Sequence, residues 1–397
     1  MKKVKVIAIA FAFTFIIVAF ATQPVAAASR YETLSSYMTD NYDTVEGGYM
    51  LPSDGVTRIN PTYGAVSIIN EMELLDDRPP PITVTSILEF CVNHQWLTGN
   101  PDDEASYGGF SDYLLATVNM ATNYHGLLLW QLLKAQNDIP NVGDYDINAT
   151  ANAFWINKTA DSGGFATKQG ESPDIISTYY ALASFRIIDG IYGINAWDTY
   201  VNETATTEWI ESCRVGDSYL LSPNSDLTSV TATAAAVLAY HAIDPLTLVP
   251  GASNVQTWLV NRQVLNFEVT EFEGGFEEGV NTDDPNLVST YFALSALNAL
   301  NAVPSVNSTA VKSFILNCQS EDGSWAQIPG MSTGSLLNSA YACQLLNIIN
   351  PRSALSVLSS SVDPYSEGSG AIDWRVLVVV GLIGGGFIIA LYALRMD

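Results

Sequence analysis

The side chains able to do chemistry are few in this sequence, and they are scattered. The three histidines, His94, His125 and His241, stand far apart, and the four cysteines, Cys91, Cys213, Cys318 and Cys343, form no cluster with them and a carboxylate. A zinc site needs thiolate, imidazole and carboxylate ligands converging on one point. No such grouping is legible, so the reading is no metal, no cofactor and no assignable catalytic residue. General-acid chemistry needs a carboxyl held neutral by its neighbours. The nearest sequences, Asn100-Pro101-Asp102-Asp103 and Asn281-Thr282-Asp283-Asp284, sit among polar residues, where a solvated loop or a helix cap accounts for them. Recognition of a diphosphate needs several Lys or Arg at one place. Only Arg58 and Lys168 come into question, and they read as separate surface charges.

The elements that carry these residues emerge from an internal repeat. Six short segments share a pattern: Glu46-Gly47-Gly48-Tyr49, Tyr107-Gly108-Gly109-Phe110, Ser162-Gly163-Gly164-Phe165, Gly216-Asp217-Ser218-Tyr219, Glu273-Gly274-Gly275-Phe276 and Asp322-Gly323-Ser324-Trp325. Their aromatic residues fall 61, 55, 54, 57 and 49 positions apart, the variation that loop insertions give a repeat architecture. In the first three blocks a Tyr follows the aromatic by 14 residues, at Tyr63, Tyr124 and Tyr179, and in the fifth by 15, at Tyr291. Blocks four and six offer looser counterparts around Thr233 and Ala340. Apolar-periodic segments such as Ser86 to Trp96, Thr207 to Cys213 and Val311 to Gln319 precede the turns. Each block thus reads as helix, turn, helix, with Asp174 and Asn286 as N-caps of second helices.

Those second helices are almost free of charge: Ser289 to Ala302 has none, and Ser229 to Ala242 has only His241. A helix apolar all round must be buried all round. Six can be buried together as the inner ring of a closed double barrel, with the more polar first helices outside. The predicted fold is therefore all-α, an (α/α)6 toroid of six helical hairpins. Tyr63, Tyr124, Tyr179, Tyr180, Tyr291 and Phe292 are the candidates for lining a central cavity; filling the ring is the equal alternative. Cys91, Cys213 and Cys318 hold equivalent positions in separate blocks and should not pair. Cys343 shares a block with Cys318, where core packing and a bridge both remain open.

Over residues 31 to 350 the pattern resembles the α/α-toroid of protein prenyltransferase β subunits and squalene cyclases. Asn317-Cys318-Gln319-Ser320-Glu321-Asp322-Gly323-Ser324-Trp325 is similar to the prenyltransferase segment Cys-Gln-x-x-Asp-Gly-Gly-Phe, and Gln319, Gly323 and Trp325 match the cyclase motif Gln-x3-Gly-x-Trp. The resemblance implies a zinc held by an Asp-x-Cys pair and by a His just before the Thr that opens a later inner helix. That His position here is Ser289, with Asn338 and Ser177 in two other blocks, and Asp-x-Cys does not occur. The Asp-x-Asp-Asp acid of hopene-forming cyclases and the Cys-Gly-x-x-Gln of thioester domains are missing as well.

The ends of the sequence address the chain to a membrane. Met1-Lys2-Lys3-Val4-Lys5, an apolar run to Ala21 and Val25-Ala26-Ala27-Ala28 have the layout of a secretory signal. Val376 to Leu394 is a run of 19 uncharged residues between Arg375 and Arg395, about the length that crosses a hydrocarbon core. The expected division is a signal at 1–28, the toroid at 29–358, a Ser/Gly-rich stalk at 359–373, a transmembrane helix at 374–395 and a cytoplasmic tail at 396–397. The part outside would hold 40 of the 41 acids and 11 of the 16 bases, a formal charge of −29. That makes nucleic acid and anionic lipid poor partners. Asn148, Asn157, Asn202 and Asn307 each open an Asn-x-Ser/Thr sequence and are glycosylation candidates on an exported surface.

The functional expectation is a single-pass protein of the plasma membrane, its toroid outside the cytoplasm. The toroid is read as a non-catalytic module that binds a protein, a glycan or an apolar ligand. An enzyme acting on an isoprenoid or lipid and an (α/α)6 carbohydrate-active enzyme are the alternatives, since fold alone does not settle function. Deleting Asp373 to Asp397 should release a soluble, folded ectodomain into the medium. Retention of that truncated chain on membranes after a high-salt wash would show a second anchor or a lipid-binding ring.

Overall fold

The computed structural model describes residues 27–74, 83–102, 104–135, 146–245, 249–265, 268–280, 282 and 284–366. The expected transmembrane helix and nearly all of the expected signal lie outside the described residues. Among the described residues no helix is long and apolar enough to cross a membrane.

Residues Leu34–Val357 form one compact unit. Its helices alternate between a first and a second member in each block. The first members are α1 (Arg30–Asp40, entering the unit at Leu34), α3 (Val84–Asn93), α5 (Ala149–Asn157), α8 (Glu203–Ser212), α10 (Ala252–Val260) and α12 (Ser308–Asn317). The second members are α2 (Ile59–Glu71), α4 (Met120–Lys134), α6 (Ile175–Tyr192), α9 (Val230–Ile243), α11 (Leu287–Ala299) and α13 (Leu336–Ile349). A short α7 (Ala196–Tyr200) follows α6, and α14 (Ala354–Ser360) follows α13. Each second helix packs against the second helices of the neighbouring blocks, and α13 packs against α2, so the inner ring closes. At the closure a Cβ added to Gly64 would meet the Leu336 carbonyl carbon at 2.6 Å. Gln344 Nε2 donates there to Ser67 Oγ at 2.7 Å, and Asn347 Nδ2 to the Glu71 carbonyl at 2.8 Å. Within the ring, the stretches beginning near Tyr63, Tyr124, Tyr179, Thr233, Tyr291 and Ala340 are all on inner helices, as the sequence predicts.

One hydrogen bond recurs in every block. The backbone N–H of the turn aromatic donates to a side chain 13 or 14 residues on: Tyr49 to Thr62, Phe110 to Asn123, Phe165 to Thr178, Tyr219 to Thr233, Phe276 to Thr290 and Trp325 to Ser339, at 2.8–3.1 Å. In four blocks the same hydroxyl donates to the carbonyl four residues before it, at Arg58, Asp174, Asn286 and Ser335. Polar caps begin five of the inner helices: Asn119, Asp174, Ser229, Asn286 and Ser335 each accept from the backbone three residues on. Successive blocks are then joined by backbone bonds at 2.7–2.9 Å: Ile59 N–H to Asp112, Met120 to Thr167, Ile175 to Leu221, Val230 to Glu278 and Leu287 to Gln327. The carbonyl in each case lies two residues past the next block's turn aromatic.

The turn glycines serve close approach as well as backbone freedom. Gly108 and Gly274 have φ of 97° and 99°, and a Cβ on them would lie 2.0 and 2.1 Å from an atom of Ala151 or Ala310 on the next outer helix. No other residue fits there. The outer helices are also tied by glutamine clamps. Gln95 donates to the Asn148 carbonyl at 2.9 Å and accepts from its N–H at 2.7 Å, and Gln263 does the same for Asn307 at 3.1 and 3.0 Å.

The all-helical expectation needs one correction. Four antiparallel pairs of short strands occur at the turns: β1 with β2 (Tyr49–Leu51, Val56–Arg58), β3 with β4 (Ala160–Asp161, Gly164–Phe165), β5 with β6 (Arg214–Val215, Ser218–Tyr219) and β7 with β8 (Phe276–Glu277, Pro285–Asn286). A chain that reverses within a buried turn must pair its backbone groups locally. The four cysteines are buried and free, so Cys318 and Cys343 are not bridged.

The described residues up to Thr33 and from Leu358 onward form a second, smaller unit. Arg30 N–H donates to the Ser361 carbonyl at 2.9 Å and Asp363 N–H to that of Ala28 at 3.0 Å. Ser29 and Glu32 form a reciprocal capping box. Residues 359–366, expected to open a flexible stalk, are therefore engaged: they hold the end of α14 and a bridge from Val362 to Ser29.

Replacing Thr178 by Val keeps the shape of a fully buried side chain but leaves the Phe165 N–H without its acceptor. The expected cost is about 1–3 kcal/mol of stability, read from urea midpoints, while Thr178→Ser should lose under about half of that because it keeps the hydroxyl.

Candidate functional site

The residue that accepts the turn's hydrogen bond faces outward, and the helical period then decides what faces the axis. On α4, Ala121, Tyr124 and Leu128 are half-buried, while every residue between them is buried. The same holds for Ile176, Tyr179 and Ala183 on α6 and for Val288, Tyr291 and Ser295 on α11. Spacings of three and four mark one helical face. The tyrosines on it converge: Tyr124 OH and Tyr179 OH are 3.3 Å apart, so this face points into the ring. These residues share the axial face of the inner ring.

All six aromatic residues singled out in the sequence belong to one cluster. Tyr63, Tyr180 and Phe292 are buried in it, and Tyr124, Tyr179 and Tyr291 are half-buried. Tyr124 stacks on Tyr180 with ring centroids 4.8 Å apart, Tyr124 meets Tyr179 edge-on at 5.9 Å, and Tyr180 lies 6.3 Å from Phe292. Two further members were not anticipated. His125 stacks on Tyr63 at 4.8 Å and 9°, with Nδ1 2.8 Å from Asn60 Oδ1. Tyr341 stacks on Tyr291 at 4.2 Å and 15°. The expectation that His125 stands apart from other candidate residues is thus corrected. His125, Tyr180, Phe292 and Tyr341 each lie two residues past the side chain that binds their turn, a register that becomes visible once that side chain rather than the Tyr is used to align the blocks.

The cluster is electrically neutral. Burial raises the tyrosine hydroxyls, Tyr63 to about 12 against hydrogen bonds from Gln344 and Ser67, and Tyr124, Tyr180, Tyr291 and Tyr341 well above their ordinary value. Burial likewise lowers the His125 imidazole to about 4. Tyr124, Tyr179 and Tyr291 keep accessible surface yet are strongly desolvated.

The remaining polar candidates stay outside this cluster. His94 is buried at the end of an outer helix, with Nδ1 2.8 Å from the Phe90 carbonyl, and His241 is exposed in the last turn of α9. Arg58 is engaged by Asp54 and by Asp112, the latter at 3.2 Å, and covers the Tyr113 ring; Lys168 is half-buried. Asp102 and Asp284 are exposed, Asp284 accepting from the Thr282 hydroxyl, while Asp103 and Asp283 lie outside the described residues. Among the described residues no three of His, Cys, Asp or Glu lie close enough to hold a metal ion.

Three of the four glycosylation candidates turn out to share a structural task. Asn148, Asn202 and Asn307 are exposed N-caps of α5, α8 and α12, each accepting from the backbone N–H of the Ala three residues on. Asn157 is the half-buried last residue of α5. The motif Asn-x-Thr-Ala recurs because these outer helices start in the same way.

The chain has recognisable kin at the level of fold and family. A Candida albicans protein geranylgeranyltransferase-I complexed with GGPP is 16% identical, over 74% of this chain and 84% of that one, with a TM-score of 0.58. A wild-type glycosidase is 10% identical over 81% and 96% of the two chains, with a TM-score of 0.54. Both likenesses are of fold. No curated protein matches the chain. The family model of the prenyltransferase alpha-alpha toroid domain matches residues 36–270 and 199–365. With six turn-and-helix blocks in register over that span and an inner ring closed by α13 on α2, the chain belongs to the prenyltransferase alpha-alpha toroid family.

Proposed function

We propose that the protein is a membrane-anchored, extracytoplasmic binding module without catalytic activity, whose lumen takes an uncharged, largely apolar ligand. The observation that carries this reading is the neutral aromatic lining. Tyr124, Tyr179 and Tyr291 present accessible surface into the ring, and the one imidazole beside them is held neutral by burial. Aromatic rings in such a place bind by area and stacking, and concave apolar sites with few polar groups are the usual form of a small-molecule site.

The chemistry of the lining argues against a charged ligand. The geranylgeranyltransferase of the same fold is a complex with GGPP, but a diphosphate would need converging cations. Of the two bases considered for that role here, Arg58 is already neutralised by two carboxylates. The anchoring and the extracytoplasmic location rest on the sequence of residues 1–28 and 374–395 alone.

Titrating the ectodomain with the neutral dye Nile red, in competition with a long-chain alcohol, tests the ligand class. Tyr179→Ala should weaken binding about tenfold, the equivalent of roughly 1.4 kcal/mol of stacking and buried area. Equal binding by the variant, or retention of oligosaccharides in place of the dye, would refute the apolar reading.

Neutrality also sets a pH dependence. The His125 value is lower in the folded chain than in the unfolded one, so its contribution to stability is present above about pH 6.5. It is lost as pH falls toward about 4, by an amount on the order of 3 kcal/mol. Urea midpoints at about pH 7 and about pH 4.5 should therefore differ more for the natural chain than for His125→Phe.

A further inference from the structure

We propose that the ring opens at the C-terminal ends of its inner helices and there holds the uncharged, hydroxyl-rich head of an amphiphile, whose hydrocarbon lies deeper, against the tyrosines. This rests on the reading of the axial face as a site for an uncharged, largely apolar ligand. The face is built in layers that repeat from block to block. Seven residues beyond the tyrosine layer, in which Ala234 and Ala340 stand for Tyr in blocks four and six, come Asn70, Gln131, Arg186, His241, Asn298 and Asn347. All six are polar, and none is an acid or a lysine.

Exposure marks this end as the opening. Along α4 the axial residues pass from half-buried Tyr124 and Leu128 to exposed Gln131, and along α11 from half-buried Tyr291 and Ser295 to exposed Asn298. On α9 they pass from buried Ala234 through half-buried Leu238 to exposed His241. Leu129 and Trp130, just before Gln131, and Ala296 and Leu297, just before Asn298, are fully buried. It is therefore the axial face that meets solvent, and not a helix end exposed all round.

The layer between the tyrosines and this collar is divided. Ser295, Gln344 and Ser67 come from α11, α13 and α2, which are successive in the ring, and Leu128, Ala183 and Leu238 come from α4, α6 and α9, successive on the other side. The polar side continues outward as three asparagines, Asn298, Asn347 and Asn70. Gln344 Nε2 donates to Ser67 Oγ at 2.7 Å and to Tyr63 OH at 3.3 Å, and Asn347 Nδ2 to the Glu71 carboxylate at 2.7 Å. The side chains of Asn70 and Asn298 have no hydrogen-bond partner among the described residues.

The strip selects the head. An amide both donates and accepts, as a hydroxyl does. Its two layers lie about 4.5 Å apart along the helices, and neighbouring helix axes are about 8–10 Å apart, a spread that a single hydroxyl leaves unmet and a head carrying several fills. An anionic head is disfavoured, because each inner helix begins beside its turn and so brings its partially negative C-terminal end to this mouth. Arg186, the one fixed cation of the collar, donates to the carbonyls of Ala242, at 2.8 Å, and Ile243 and covers the Trp197 ring.

The test uses the full chain in phosphatidylcholine nanodiscs, with empty discs as the blank. Radiolabelled octyl β-glucoside below its micellar concentration is the probe, and radiolabelled 1-octanol is the comparison without the sugar head. Asn298→Leu should weaken binding of the glucoside about fivefold and leave octanol within about twofold, the loss expected for one hydrogen-bonding group, while Asn298→Gln should keep most of the affinity. Tyr179→Ala should weaken both probes. If Asn298→Leu lowers both probes alike, or neither, the head site is overturned, and the response to Tyr179→Ala still decides the apolar reading by itself. If Tyr179→Ala changes neither probe, the apolar reading fails and this proposal with it. Octyl phosphate held as tightly as the glucoside, or glucose held as tightly without its chain, also overturns the proposal.

Discussion

The ring depends on a hydrogen bond between a turn and a helix that lies 13 or 14 residues further along the chain. A buried backbone N–H without a partner costs as much as a lost hydrogen bond, and often more. Each of the six turn aromatics would bury such a group, since all six side chains are fully enclosed. The acceptor is a hydroxyl in five blocks and the Asn123 amide in the other. Because four of the hydroxyls also donate to the carbonyl four residues back, one small side chain satisfies both the turn and the helix. It therefore sets the rotation of the inner helix about its axis, and with it which residues face the interior of the ring.

That rotation links fold to electrostatics. An inner helix faces outer helices on one side, its neighbours on two and the ring's interior on the fourth, so a charge on it would be desolvated wherever it pointed. Charges are few on the inner helices, and several of the polar atoms that occur inside are paired side to side: Tyr124 with Tyr179, His125 with Asn60, Gln344 with Ser67. The interior of the ring is neutral for the same reason that the ring is stable.

How much of this was legible in the sequence depends on which interaction each residue serves. The six blocks, their helical hairpins and the inner position of the uncharged helices were readable, because Gly-aromatic turns and charge-free stretches are local signals. The N-caps Asp174 and Asn286 were readable too. The strand pairs at the turns were not, since two-residue ladders leave no periodicity. His125 was misjudged for a related reason: its partner Asn60 is 65 residues away, and its aromatic neighbours come from α2 and α6. The recurrent Asn-x-Thr-Ala was read only as a surface tag, although in three copies it begins an outer helix.

Fold and site make their demands on different positions of the same helix, and blocks four and six show the separation. Thr233 and Ser339 keep the bond to their turns, yet the next residues are Ala234 and Ala340 where four other blocks have Tyr. Both alanines are fully buried. In block six the stacked pair of Tyr291 and Tyr341 brings an aromatic from the adjacent position, and near block four Tyr180 reaches toward Phe292 across it. The aromatic girdle is therefore uneven: rich on α2, α4, α6 and α11 and thin where α9 and α13 pass. The ring closes regardless, because closure asks only for the hydroxyl one residue earlier. A toroid of this kind can change what it holds by exchanging residues beside the turn-binding side chain while that side chain stays, and for this reason the fold by itself says so little about the ligand.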